Sequence, residues 1–176
     1  RTRQRYRIHP FPCSSSSIRA CKYPADVQFL YRMQHCTDAP IKDKLRYVRL
    51  MAGLKQSELA EMVGISRSTL INLENGVVSE EKMKTGVLIR IALACGFERT
   101  FCCNPYHSLL ANNIGQRIKV YRKEHRMTQQ MLADALHVCK DTVFSWEHNQ
   151  TNPSMQVLQH LFPEFFAHGK QSNVQE

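Results

Sequence analysis

The sequence predicts an all-α protein made of two copies of one small helical module. Apolar residues recur at helical spacing through most of the 176 residues, and no segment shows the alternation that is typical of strands. A shift of 73 residues superposes 45–76 on 118–149 without a gap, which indicates an internal duplication. The identities are Arg49/Arg122, Gln56/Gln129, Leu59/Leu132, Ala60/Ala133, Thr69/Thr142 and Glu74/Glu147, and the apolar positions match as well.

Capping and turn residues divide the first copy into four helices. Asp38 is suited to cap the first helix, Pro40 is tolerated in its first turn, and Gly53 ends it. Gly64 supplies the tight turn after the second helix, and Ser66 is a natural N-cap for the third. The predicted helices span 40–52, 56–63, 67–75 and 79–95.

The same signals place four helices in the second copy, beginning near 114, 129, 139 and 153. The stretch between the copies contains Pro105 and three Asn residues, so it is interpreted as an irregular connection. The resulting division is a basic, disordered extension (1–37), a first module (38–97), a linker (98–112), a second module (113–166) and a disordered tail (167–176).

The N-terminal extension is rich in Arg and Ser and has no acidic residue before Asp26. Three interpretations stay open: a disordered extension that is not a designed part of the protein, a basic arm that follows a DNA backbone, or an organelle transit peptide. No apolar core of the kind found in secretory signals is present, so export is not expected.

The net charge of +9 favours a polyanionic partner, although residues 1–40, with seven basic and two acidic residues, hold more than half of the excess. Seven irregularly spaced cysteines indicate reduced thiols in the cytoplasm rather than a disulfide framework. Cys95, Cys102, Cys103 and His107 offer zinc-ligand chemistry at an unfamiliar spacing, so we expect no metal site and no cofactor. No apolar run is long enough to span a membrane.

Two segments carry a resemblance to a known family. GLKQSELAEMVGISRSTLINLENG, from Gly53 to Gly76, closely resembles the helix-turn-helix of the Cro-repressor and lambda-repressor type, the xenobiotic-response-element (XRE) family. MTQQMLADALHVCKDTVFSWEHNQTNPS, which begins at Met127, resembles it as well. The second copy departs from the pattern at three places: His137 replaces the turn Gly, Cys139 the capping Ser, and Asn149 the closing Gly. The resemblance implies two tandem lambda-repressor-like helix-turn-helix bundles.

The resemblance and the residue chemistry together indicate DNA contacts. The third helix of such a module enters the major groove, where Arg can address guanine and Asn can address adenine. Gln56, at a helix N-terminus, can hydrogen-bond a phosphate, a role that the resemblance also implies. The expected DNA-binding residues are Gln56, Ser66, Arg67, Ser68, Thr69 and Asn72 in the first copy, and Gln129, Lys140, Asp141, Thr142 and Ser145 in the second.

The two copies differ in the expected strength of DNA binding. Asp141 would repel phosphates, although it can accept a hydrogen bond from cytosine N4, so the second copy is expected to bind DNA more weakly or to serve as a structural partner. Both copies place an Arg and a Glu 25 residues apart, Arg49 with Glu74 and Arg122 with Glu147. The resemblance implies that each pair is a structural ion pair that fixes the recognition helix.

These observations predict a sequence-specific double-stranded DNA-binding transcription regulator of the bacterial or phage repressor type, located in the cytoplasm with the nucleoid. We expect no enzymatic activity, because no catalytic motif is present. The two modules are expected to occupy a two-part site whose halves lie about one turn of the DNA double helix apart. The apolar helices also offer a surface for a homodimer. The alternatives are a protein-binding module, such as an antitoxin or adaptor with secondary DNA binding, or a thiol- or zinc-dependent sensor.

Overall fold

The computed structural model describes residues 24–33 and 39–167, which fall into two compact units, the first ending at Cys103 and the second beginning at Asn104. We call them unit 1 and unit 2. Every regular element within these described residues is helical, so the all-α prediction is confirmed. No helix in this part of the chain is long and apolar enough to cross a membrane.

Unit 1 contains five α-helices and a short 3₁₀ turn in its described residues. The predicted fourth helix differs in its start: 80–82 form the 3₁₀ turn, and the α-helix begins at Thr85. The reason is tertiary, because the Glu80 carboxylate accepts a hydrogen bond from the Ile41 N–H at 2.8 Å and so caps the first helix of the module. The helices are α1 Pro24–Met33, α2 Ile41–Met51, α3 Gln56–Val63, α4 Arg67–Glu74 and α5 Thr85–Ala94.

Helix α1 corrects the prediction that 1–37 are a disordered extension. Phe29, Leu30 and Met33 are buried in the hydrophobic core of unit 1, and Leu30 is completely inaccessible to solvent. The guanidinium of Arg46, on α2, lies 4.9 Å from the centre of the Phe29 ring. Tertiary packing therefore orders this helix. The rest of the predicted extension, and Asp38 with it, lies outside the described residues.

Unit 2 contains six α-helices in its described residues, and the first of them lies within the predicted linker. Asn104 caps this helix by accepting a hydrogen bond from the His107 N–H at 3.0 Å, and Pro105 occupies its first turn. Tyr106 and Leu109 pack into the core of unit 2. The helices are α6 Pro105–Ala111, α7 Ile114–Glu124, α8 Gln129–Ala135, α9 Lys140–Glu147, α10 Met155–Leu161 and α11 Glu164–Ala167.

The repeated apolar positions form equivalent cores in the two units. Both members of each of four pairs are buried: Leu45/Ile118, Leu59/Leu132, Ala60/Ala133 and Leu70/Val143. Helices α2–α5 of unit 1 therefore correspond in order to α7–α10 of unit 2. The predicted tail lies beyond α11, and its residues 168–176 fall outside the described residues.

The turn that joins α3 to α4 recurs between α8 and α9 with a different residue. Gly64 adopts φ 68° in unit 1, and His137 adopts φ 54° at the matching position of unit 2. Arg126 and Asn149 also have positive φ angles, of 55° each. Unit 2 therefore holds side-chain-bearing residues in a left-handed conformation that favours glycine.

The contact between α2 and the end of α4 in unit 1 recurs between α7 and the end of α9 in unit 2, but the glycine lies on the opposite side of it. In unit 1 the side chain of Lys42 lies beside Gly76, whereas in unit 2 Gly115 faces Asn149. A Cβ atom on Gly115 would lie 2.5 Å from the Trp146 carbonyl oxygen, so only glycine fits there. Asn149 Oδ1 accepts a hydrogen bond from the Gly115 N–H at 3.1 Å, which ties α7 to the end of α9.

Candidate nucleic-acid interface

Helix α4 presents a polar, exposed N-terminal face. Leu70 and Leu73 are buried beneath it, and Ser66 accepts a hydrogen bond from the Thr69 N–H at 3.0 Å. Ser66 therefore caps the helix, and its hydroxyl also contacts those of Ser68 and Thr69, at 2.9 and 2.7 Å. The exposed predicted contact residues of this unit are Ser66, Arg67, Ser68, Thr69 and Asn72.

Helix α9 occupies the equivalent position in unit 2 but carries a different surface. Val143 and Trp146 are buried, and no side-chain hydrogen bond from Cys139 caps the helix. Among the predicted contact residues, Lys140 and Asp141 are exposed, while Thr142 and Ser145 are half-buried. The exposed face of α9 also carries Phe144 and His148, which sequence reasoning did not select.

The Arg–Glu pairs that recur in the sequence form ion pairs within each unit. Arg49 Nε and Nη2 donate to the two carboxylate oxygens of Glu74 at 2.6 and 2.9 Å. Arg122 donates to Glu147 in the same way at 2.6 and 3.1 Å. The third guanidinium nitrogen of each Arg donates to a backbone carbonyl five residues on, Leu54 or Met127. The C-terminal ends of α4 and α9 are thus fixed to α2 and α7, respectively.

A glutamine completes each ion-pair network. Gln56 Nε2 donates to Glu74 Oε2 at 2.9 Å, and Gln129 Nε2 donates to Glu147 Oε2 at 3.0 Å. Sequence reasoning assigned these glutamines to phosphate contacts and missed their bonds to the glutamates, although the separation of 18 residues recurs in both copies. Each amide still has a second N–H, so the network orients the glutamine without exhausting its hydrogen-bonding capacity.

The network controls the ionisation of its carboxylate in unit 2. Burial by itself raises the pKa of Glu147, but hydrogen bonds from Arg122 and Gln129 and the positive charges of Arg122 and Lys119 outweigh it, so the pKa lies below its usual value. The hydrogen bond to Glu147 in turn raises the pKa of Arg122. The Glu147 side chain is only 2% exposed, and its negative charge is therefore balanced inside the unit.

A groove opens next to this network in each unit, between the N-termini of α3 and α4 in unit 1 and between those of α8 and α9 in unit 2. The groove of unit 1 has a volume of about 520 Å³, and that of unit 2 about 560 Å³. Several residues of one lining match those of the other after a shift of 73. Besides the ion-paired arginines, the cations are Arg46, Lys55 and Arg67 in unit 1 and Lys119 and Lys140 in unit 2. Each groove can therefore accept an anion, and that of unit 1 is the more basic.

The buried cysteines do not resemble reactive thiols. Burial raises the pKa of Cys95 to about 12, and it raises the pKa values of Cys102 and Cys103 as well. Such thiols stay protonated at neutral pH. Within the described ranges no three His, Cys, Asp or Glu side chains are grouped so that they could hold a metal ion. These cysteines give no support to the alternative of a thiol- or zinc-dependent sensor.

One comparison with known proteins matches the duplicated architecture. A family model described as helix-turn-helix matches residues 45–100 and again 118–161, which together cover more than half of the chain. Both matches contain the two helices that border the grooves, α3 and α4 in unit 1 and α8 and α9 in unit 2. No curated protein and no solved structure matches the chain.

Proposed function

The chain belongs to the helix-turn-helix family of the XRE and lambda-repressor type, DNA-binding transcription regulators that are generally non-enzymatic. On this basis we propose that unit 1 reads double-stranded DNA with α4 and that unit 2 reads it with α9. The observation that carries the proposal is the duplicated groove, in which cations lie beside an exposed helix N-terminus. No catalytic step is needed for this function.

In unit 1, α4 enters the major groove and the cations beside it contact the phosphates. Arg67 is exposed at the first position of α4 and has the bidentate geometry that guanine requires, and Asn72 lies one and a half turns further along and matches adenine. Arg46 and Lys55 line the groove at the side of the helix and are suited to phosphate oxygens. Gln56, held by Glu74, directs its remaining amide hydrogen to the same backbone.

Unit 2 reads a different sequence and binds the phosphates less strongly. Lys140 replaces Arg67, and Asp141 adds a negative charge to the exposed face of α9. A carboxylate at this position accepts a hydrogen bond from cytosine N4 but repels the backbone. Since one chain carries two unlike readers, we propose that it occupies a two-part site whose halves differ in sequence. A homodimer through apolar helices would give a palindrome instead.

We propose that the chain represses transcription by occupying this site, as the repressors it resembles do, and that it resides with the nucleoid in the cytoplasm. The proposal is tested by selecting binding sites from random duplex DNA with the full chain and measuring equilibrium affinity for the selected site. Loss of a bidentate base contact in Arg67→Ala should weaken binding by about 1–3 kcal/mol and relax specificity at one base pair.

Arg90→Ala is the matched control for this experiment. Arg90 is an exposed cation of unit 1 on α5 and does not line the groove, so its removal changes the net charge equally. Its affinity for the selected site should stay close to that of the parent. Equal losses in the two variants would indicate a non-specific charge effect, and failure to select any site would refute the function.

A further inference from the structure

Phe144 is an apolar side chain on the otherwise polar face of α9. It is 45% exposed and does not belong to the hydrophobic core of unit 2. Its neighbours on that face are Asp141, Ser145 and His148. Unit 1 has a half-buried Ile71 at the matching position, which is also outside its core. Core packing therefore does not account for an apolar residue here in either unit.

His148 holds the Phe144 ring in a defined position. The two rings pack against each other with their planes tilted by 31° and their centroids 4.0 Å apart. His148 Nδ1 lies 2.8 Å from the Phe144 carbonyl oxygen, and because that oxygen can only accept, the proton resides on Nδ1. The imidazole is thus anchored at its own end of the helix and supports one side of the phenyl ring. The ring is presented to solvent in a fixed place, which reduces the entropy lost when a ligand covers it.

We propose that Phe144 is a specificity-determining residue of unit 2 that contacts the C5 methyl group of a thymine, and that His148 is its positioning residue. The inference rests on the proposed function, in which α9 enters the major groove. The thymine methyl is the one apolar group that the base pairs present there, and a phenyl ring is a suitable partner for it. Asp141 and Ser145, on the same face, address the neighbouring base edges.

The test removes the methyl group from the DNA and the ring from the protein. The full chain is titrated with its selected duplex and with duplexes in which each thymine is replaced singly by deoxyuridine, which deletes only the methyl. At one thymine the parent should lose about fourfold in affinity, the factor expected from burying one methyl group. Phe144→Ala should bind the thymine duplex about as weakly as the parent binds the deoxyuridine duplex, and should not distinguish the two.

Three further variants separate the specific contact from general effects. Phe144→Leu retains an apolar side chain and should keep part of the discrimination between thymine and deoxyuridine. His148→Ala should lower the ratio of the thymine affinity to the deoxyuridine affinity, a pattern that a merely structural role, which weakens binding to both duplexes equally, would not produce. Ile71→Ala, in unit 1, should leave the response at this thymine intact. Emission from Trp146, the single tryptophan, checks that unit 2 stays folded.

The outcomes distinguish this inference from the proposed function. If the parent protein selects a site but no single replacement of thymine by deoxyuridine lowers its affinity, the inference is wrong while DNA reading stands. The same holds if the replacement lowers the affinity of Phe144→Ala as much as that of the parent. A selected site with no thymine in the part that unit 2 covers also overturns it. If the full chain selects no site, the proposed function fails and the inference fails with it.

Discussion

Changing the residue at the turn before α4 and before α9 should shift the stabilities of the two units in opposite directions. In unit 2 the turn residue is His137, which is exposed and has φ 54°. A left-handed conformation costs a residue with a Cβ about 1–2 kcal/mol, while a glycine costs about 0.5–1 kcal/mol more than alanine in conformational entropy. We therefore expect His137→Gly to stabilise unit 2 by about 0.5–1 kcal/mol.

The reverse change in unit 1 is Gly64→Ala. A Cβ at Gly64 would have no atom within 4 Å, so its cost is conformational and not steric, and a loss of about 0.5–1 kcal/mol is expected. His137→Ala is the control for unit 2, because it removes the imidazole but retains the strained φ, and it should produce no gain. The three variants separate backbone strain from side-chain contacts.

Trp146 makes the measurement specific for unit 2. It is the only tryptophan, lies on α9 and is 5% exposed, so its fluorescence reports the unfolding of that unit. With a urea dependence near 1 kcal/mol/M, His137→Gly should raise the midpoint by about 0.5–1 M. Far-UV circular dichroism follows both units and should reveal the loss in Gly64→Ala. An unchanged or lower midpoint in His137→Gly would refute the strain argument.

Three further changes test the packing and the ion pair. Glu147→Gln should destabilise unit 2 by about 1–3 kcal/mol at pH 7, and equal urea midpoints for the parent and the variant at pH 7 would contradict the ion pair. Because folding lowers the pKa of Glu147, the stability advantage of the parent is present above the unfolded-state pKa of about 4.3 and is lost as the pH falls through the folded-state pKa. Gly115→Ala should destabilise unit 2 by about 1–3 kcal/mol in urea melts followed by Trp146 fluorescence, because its Cβ would clash with the backbone at the end of α9. Lys42→Ala, at the matching position of unit 1, should cause no comparable loss in melts followed by far-UV circular dichroism. An alanine tolerated at 115 would show that the close approach is absent. Leu30→Ala should destabilise unit 1 by about 2–5 kcal/mol in thermal or urea melts, and an unaffected unit would mean that α1 does not pack on the core.

Local signals predict most of the two modules. The capping Ser66, the turn at Gly64 and the apolar spacing of 56–63 and 67–74 act within a few residues, and the structure places helices where they indicate. The duplication strengthens these predictions, since a buried position in one copy identifies its equivalent in the other. The duplication also identifies the ion pairs, because both copies place an Arg and a Glu 25 residues apart.

The missed features depend on contacts between distant segments. Helix α1 follows a basic, Ser-rich stretch whose composition suggests disorder, and it is ordered by burying Phe29 and Leu30 in the core of unit 1. Asn104–Pro105 was interpreted as a linker, although the same dipeptide is a good N-cap followed by a first-turn proline. Glu80 was expected to open a helix but caps α2 instead. Burial of these helices in the cores and the hydrogen bond from Ile41 to Glu80 join segments that are distant in the sequence, so local patterns do not reveal them.

The sequence predicts those candidate interface residues that have polar side chains and lie near the start of a helix. Arg67, Asn72 and Lys140 were found in this way. The cations Arg46 and Lys55 were missed because they lie on α2 and immediately before α3, and they converge on the groove only in the folded unit. Phe144 was missed because an apolar residue on a helix is normally assigned to the core, and only its exposure reveals otherwise.

Hydroxyl-radical footprinting of the full chain on its selected duplex determines whether α4 and α9 each read DNA. The parent should protect two patches. Arg67→Ala combined with Asn72→Ala should weaken one patch, and Lys140→Ala combined with Ser145→Ala the other, with Arg90→Ala matching the parent. No protection by the parent, or an identical footprint from all variants, would contradict the account.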